Sequence, residues 1–181
     1  MEAELRFLVA GDAALAAEFG DAIEPAINRR VRGLFLAADG ARLAGVRDLV
    51  PTYRSLLVSY DPLQTTFAAL RGRLSDLEAR LDDAPLPPPR VVEIPTAYGG
   101  AFGPDLGFVA AHNGLAEDEV VAIHSGTDYL VYMMGFSPGF TYLGGLSERI
   151  AAPRLDTPRT AIPAGSVGIA QMQTGIYPVE S

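Results

Sequence analysis

The sequence predicts an α+β chain of two domains, a small α/β unit followed by a β-barrel, and three observations carry that reading. Residues 84–90, Ala-Pro-Leu-Pro-Pro-Pro-Arg, hold four of the fourteen prolines, a density that imposes extended backbone and marks a linker. Before the linker, strand-like runs alternate with apolar stripes at helical spacing. After it come short runs broken by turn formers, with most of the Gly and Tyr. The expected domains are therefore 1–83 and 91–181, joined by 84–90.

In chain order, residues 5–10 read as a short strand. A helix then begins between Asp21 and Pro25 and carries Ile23, Ile27, Val31 and Leu34 on one face. Two starts are open: a capping box of Asp21 with Glu24, or Pro25 as the first helical residue, where its missing N–H costs nothing. Residues 46–50 and 54–60 read as an antiparallel pair around Pro51-Thr-Tyr53, with an edge or a bulge at the proline. A second helix follows from an Asp61 N-cap with Pro62 in its first turn, and its stripe is Phe67, Leu70, Leu74, Leu77 and Leu81. The N-terminal order is thus β-α-β-β-α. Beyond the linker, residues 91–95 and 128–134 read as strands, 104–111 and 117–123 as short helices, and 162–177 as strands with Gly turns. That pattern fits a barrel or sandwich with small helical inserts.

Composition removes several functions. Twenty-two acidic against fourteen basic residues give a net charge of −8, which argues against a nucleic-acid binder. All the basic residues are Arg, and without Lys neither a P-loop nor a Schiff base can form. Without Cys there are no disulfides, thiol nucleophiles or thiolate metal sites. The start of the chain is acidic, and no apolar run approaches the roughly 18–20 residues that span a bilayer, so a cytoplasmic location is expected.

Gly135-Phe-Ser-Pro-Gly139 matches the G-x-S-x-G pattern of a serine-hydrolase elbow. Its chemistry fails there. The oxyanion hole needs the N–H of the residue after Ser137, which is Pro138, and both histidines precede the serine. His112, before Asn-Gly at the end of a short helix, reads as a helix-terminal residue. His124 also ends a short helix, but the polar loop after it leaves two readings open, another helix-terminal His or an acid/base group. Two His twelve residues apart make no defensible metal site. Arg159, held between prolines, is either a planar fork for a carboxylate or phosphate or one half of a surface ion pair. The loop bearing Phe136, Pro138, Gly139, Phe140, Tyr142 and Leu143 is core, pocket wall or partner patch.

Taken together, segments 94–106 (Ile94-Pro-Thr-Ala-Tyr98 onward), Ile123-His-Ser125, 131–145 (Val131-Tyr-Met-Met-Gly135 onward), Pro158-Arg159 with Gly165-Ser-Val-Gly168, and Gln173-Thr-Gly-Ile-Tyr-Pro178 resemble the KipI family. That family comprises the B-type component of 5-oxoprolinase (PxpB), also called allophanate hydrolase subunit 1, and the kinase inhibitor KipI. The segments Asn28-Arg-Arg-Val-Arg32 and 50–58 extend the resemblance to the N-terminal half.

The resemblance implies a cyclophilin-like β-barrel in the C-terminal domain and a second cyclophilin-like protein as partner, the C-type component of 5-oxoprolinase or KipA. It implies a further partner, the A-type component, and ATP-dependent opening of 5-oxoproline to glutamate, with ATP used by the complex at a site not located in this chain. It makes His124 and Arg159 the candidate catalytic residues, as acid/base group and anion clamp. Phe136, Pro138, Gly139, Phe140, Tyr142, Leu143 and Gln173 are the candidate substrate-binding or subunit-interface residues. A component of allophanate hydrolase, a KipI-type inhibitor of a histidine kinase and, from the fold alone, a prolyl isomerase are the other readings. Thr141 and Gln171 stand where the family carries Pro and Gly. The family also continues past the Tyr-Pro motif with more strands, so a barrel lacking its last strands is expected.

Overall fold

The computed structural model describes residues 5–81 and 86–181, and the chain gathers into two compact units, 1–90 and 91–181. Two linker positions, Ala84 and Pro85, lie outside the described residues.

In the first unit, β1 (Arg6–Val9), β2 (Ala14–Glu18), β3 (Val46–Pro51) and β4 (Ser55–Tyr60) form one antiparallel sheet in the order β1-β2-β4-β3. The order is β-β-α-β-β-α, because β2 is a strand that the sequence did not announce. Its Ala-Leu-Ala-Ala-Glu run has low intrinsic strand preference, and its place is set by burial: Leu15 and Ala17 are fully buried while their neighbours are not. Burying side chains such as Leu15, Leu34 and Leu56 contributes about 1.5–3 kcal/mol each.

Helix α1 (Pro25–Ala41) starts at Pro25, and Glu24 precedes it in extended backbone with no side-chain cap. The capping box of Asp21 and Glu24 therefore does not form. Asn28, 6% exposed, donates through Nδ2 to the carbonyls of Thr52 and Tyr53 at 3.1 and 3.2 Å. It thereby fixes the helix to the β3–β4 turn. Pro51 sits at the end of edge strand β3, where no ladder bond is lost, while the register shift falls at the other end, between Val46 and Asp48.

Helix α2 (Phe67–Glu78) begins six residues after the expected cap. Thr66 is the N-cap, its Oγ1 accepting the Ala69 N–H at 3.2 Å. Asp61 instead closes a turn, accepting from Leu63 N–H and Gln64 Nε2 at 3.0 Å each and pairing with Arg47 at 3.2 Å. These bonds hold its carboxyl below the usual carboxylate range. A proline after an Asx residue serves a turn as well as a helix start, and the next cap-forming residue takes the helix.

The second unit opens with residues 91–98 in neither helix nor strand, so the strand expected at 91–95 is absent. Val91 and Val92 are 72% and 59% exposed and no strand pairs with them. Helices α3 (Leu106–Asn113) and α4 (Glu117–Ser125) pack with a single 3-10 turn (Glu148–Ile150) around Ala110, Val120, Leu146 and Ile150. His112 ends α3, and Gly114 closes it at φ 66, as expected of Asn-Gly. Four strands, β5 (Leu130–Met134), β6 (Thr141–Gly144), β7 (Val167–Ala170) and β8 (Gln173–Ile176), form an antiparallel sheet in the order β5-β6-β8-β7. Strand β6 falls where the sequence read as a loop. Mixed helix and sheet thus hold in both units, and among the described residues the second sheet is open rather than closed into a barrel. No described helix is long and apolar enough to cross a membrane.

The β7–β8 turn places Gln171 at φ 54, a left-handed conformation that favours Gly. Replacing Gln171 by Gly is expected to raise the thermal midpoint by about 2–4 °C, since relief of the left-handed conformation exceeds the chain entropy that Gly adds. A lower midpoint would show that the Gln side chain outweighs the backbone. Asn28→Ala is expected to cost about 1–3 kcal/mol of unfolding free energy, read as a lower denaturant midpoint at constant slope. An unchanged midpoint would mean that the two carbonyls find other donors at no cost.

Candidate functional site

Helix α4 carries three acidic residues in its first turn, Glu117, Asp118 and Glu119, where the helix dipole favours them, and Glu119 accepts the Ala116 N–H at 2.9 Å. Its last turn carries His124, which is 7% exposed. Both ring nitrogens of this buried side chain have partners. Nδ1 lies 2.7 Å from the Tyr98 hydroxyl, and Nε2 lies 3.2 Å from Thr174 Oγ1. Tyr129 packs its ring against the imidazole at 5.3 Å between centroids and donates its hydroxyl to the His124 carbonyl at 2.9 Å. One orphan carbonyl at the helix end is thus satisfied.

The direction of the chain follows from counting protons. Thr174 donates its single hydroxyl hydrogen to the Gly168 carbonyl at 3.1 Å, so toward His124 it can only accept. Nε2 therefore carries the hydrogen, and Nδ1 is the acceptor for the Tyr98 hydroxyl. The sequence Tyr98 to His124 to Thr174 to Gly168 is a neutral donor chain with every proton assigned. Burial pushes the imidazole below its ordinary value of 6.5, and pushes the Tyr98 and Tyr129 phenols above theirs. All three effects favour the neutral forms that the bonding pattern needs.

The aromatic candidates lie on the other face of the sheet. Successive strand residues point to opposite faces, so Thr174, which meets His124, and Gly175 look opposite ways. A Cβ on Gly175 would sit 2.8 Å from the Phe140 ring, and one on Gly144 would sit 1.9 Å from that of Tyr132. Those strand positions are Gly because an aromatic ring occupies the space a Cβ would need. Phe140 stacks edge-on with Tyr177, Tyr142 and Phe136, at 4.9, 5.0 and 5.4 Å between centroids. Phe136 is 71% exposed at φ 66, an unusual conformation for a bulky residue, at the tip of the β5–β6 hairpin beside Pro138 and Gly139. Residues Met134 to Gly139 line a surface depression of about 370 Å³. Leu143 pairs with Thr174 and shares the His124 face, and Gln173 pairs with Ala170 at the end of the sheet.

Arg159 forms a bidentate pair with Asp105, both N–O distances being 2.6 Å, and holds that carboxyl below the usual range. Of the two readings open for Arg159, the ion pair is the one observed, and the fork expected to clamp a ligand anion is engaged within the protein. Asp105 and Tyr98 bound one short loop, closed by Gly103 N–H on the Gly99 carbonyl at 3.0 Å. The loop thus links the partner of Arg159 to the partner of His124. Among the described residues no cluster of His, Asp or Glu could hold a metal ion.

Tyr98, Tyr129 and Thr174 were not among the candidates, although Tyr98 and Thr174 stand inside the recognised motifs. Tyr98 and Thr174 come from segments 26 and 50 residues away from His124, a pairing that no local pattern encodes.

Comparisons with known proteins extend over both units. The family model described as "Carboxyltransferase domain, subdomain C and D" matches residues 5–181. The chain is 40% identical over 181 residues to a protein of Bacillus subtilis (strain 168) named as the B-type component of 5-oxoprolinase, covering 94% of this chain and 75% of that one. It is 56% identical over 93 residues to the Escherichia coli O157:H7 protein of the same name, covering 51% of this chain and 43% of the relative. The crystal structure of TTHA0988 superposes with a TM-score of 0.80 at 37% identity, over 93% of this chain and 32% of that one. That of Kluyveromyces lactis urea amidolyase gives 0.75 at 18% identity, over 97% and 12%, a likeness of fold.

The depressed His124 value has a consequence for stability. The unfolded chain binds a proton at this ring more readily than the folded one, so the neutral ring's contribution is complete above pH 6.5 and is lost as the pH falls through the depressed folded value. The thermal midpoint of the native chain is expected to fall more steeply between pH 7 and pH 5 than that of His124→Gln. Equal slopes in scanning calorimetry would show that the ring titrates alike in both states.

Proposed function

This chain belongs to the carboxyltransferase-domain family of subdomains C and D, with the B-type component of 5-oxoprolinase among its relatives, and we propose that it is part of an ATP-dependent hydrolase that opens 5-oxoproline to glutamate. The observation that carries the reading is the 40% identity to the Bacillus subtilis relative over 94% of the chain, which takes in both units. The site supports it chemically. Opening a lactam needs a base for the attacking water and an acid for the leaving nitrogen, and a neutral imidazole hydrogen-bonded to a tyrosine hydroxyl supplies both.

In this reading His124 provides the acid/base capacity, and Arg159 acts through Asp105 by fixing the loop that presents Tyr98. The exposed aromatic face around Phe136 and the edge strand β5, with Leu130, Val131 and Met134 exposed, form the partner-facing surface. An apolar edge strand left bare invites pairing, and the cyclophilin-like barrel is the form this sheet takes once its edges are covered. The partners are a cyclophilin-like protein, the C-type component or KipA, together with the A-type component. ATP is consumed by the complex.

Co-expression with those two partners tests the reading. A stable assembly is expected whose ATP consumption depends on 5-oxoproline and matches the glutamate formed. An assembled complex that ignores 5-oxoproline but consumes ATP with a urea-derived amide would move the chain to the allophanate branch, against this proposal.

A further inference from the structure

We propose that Tyr98, rather than His124, is the residue of this site that meets the substrate, with His124 as the proton store behind it. The inference rests on the amide-opening reading above and specifies where its proton chemistry occurs. His124 and Thr174 are 7% and 3% exposed, whereas Tyr98 is half-buried, so Tyr98 is the least enclosed side chain of the three. Neither imidazole nitrogen is free to reach a ligand: Nδ1 accepts from Tyr98 at 2.7 Å, and the Nε2 hydrogen is committed to Thr174 at 3.2 Å. A base so enclosed acts only through its neighbour. Thr174, locked by the Gly168 carbonyl, is a positioning residue that keeps the accepting nitrogen turned toward Tyr98.

The transfer is balanced. As a water oxygen bonds to the lactam carbonyl carbon, its proton passes to Tyr98 Oη while the phenolic hydrogen moves to His124 Nδ1. As the carbon–nitrogen bond breaks, Nδ1 returns its hydrogen to Tyr98 Oη, which gives a proton to the leaving nitrogen. The new carboxyl then ionises to solvent, and both side chains end as they began. Enclosure makes the intermediate imidazolium costly and hence short-lived, which suits a store that must give its proton back.

The test uses the reconstituted complex with 5-oxoproline and ATP. Tyr98→Phe is expected to lower kcat about 100-fold or more with KM changed less than about twofold. His124→Gln should lose a similar factor, and the double variant little beyond either, because the two act as one unit. A second readout needs no turnover. The chain has two histidines, so long-range proton–nitrogen NMR of the isolated chain identifies His124 as the Nε2–H tautomer, with its Nδ1 signal moving in Tyr98→Phe. Full kcat in Tyr98→Phe, or an Nδ1–H tautomer in the native chain, overturns the proposal while the amide-opening reading stands. A native complex that turns over no amide overturns that reading itself.

Discussion

The hydrogen bond from Thr174 to the Gly168 carbonyl is the contact on which the polar interior of the C-terminal unit depends. It uses up the only hydrogen that Thr174 possesses and so turns the hydroxyl into an acceptor for α4. From that one restriction follow the tautomer of His124, the role of Tyr98 as donor, and the neutral state that burial also favours. A buried polar group with an unfilled valence costs on the order of 1–3 kcal/mol, and in the chain from Tyr98 to Gly168 each donated hydrogen finds an acceptor from a different segment. The helical layer and the sheet are joined by chemistry as well as by packing.

The other face of the same sheet follows a different rule. Gly144 and Gly175 occupy strand positions where any larger side chain would enter an aromatic ring, so ring-on-backbone contact replaces side-chain interdigitation. The sheet therefore separates an aromatic layer from a hydrogen-bonded one. Residues that sequence alone would gather into a single site, His124 and the loop from Phe136 to Tyr142, are divided by the thickness of one strand layer.

What could be read in the sequence was local. The start of α1 at Pro25 and the end of α3 at Asn-Gly follow from backbone restrictions that act within a turn. Strand β2 was hidden because its Ala residues carry no strand signature, and β6 because Gly and aromatics read as loop formers until the partner strand is known. Helix α2 was placed too early because Asp61-Pro62 is as good a turn as a cap. His124 stood out through the polar loop that follows it and through the family resemblance. Its bonding to Tyr98 and Thr174, and the Asp105 partner of Arg159, lie in contacts across 26 to 54 residues, beyond any local pattern.

The tyrosine pair around His124 also makes this interior optically visible. The chain has no Trp, so its seven tyrosines are its emitters in the near ultraviolet. An excited phenol is a far stronger acid than one in its ground state, and Tyr98 already donates to a neutral imidazole. Tyr98 is therefore expected to emit less than the other tyrosines, which a comparison of native and Tyr98→Phe fluorescence checks. A change that draws Tyr98 away from the imidazole would remove that acceptor, and the site would then carry its own indicator.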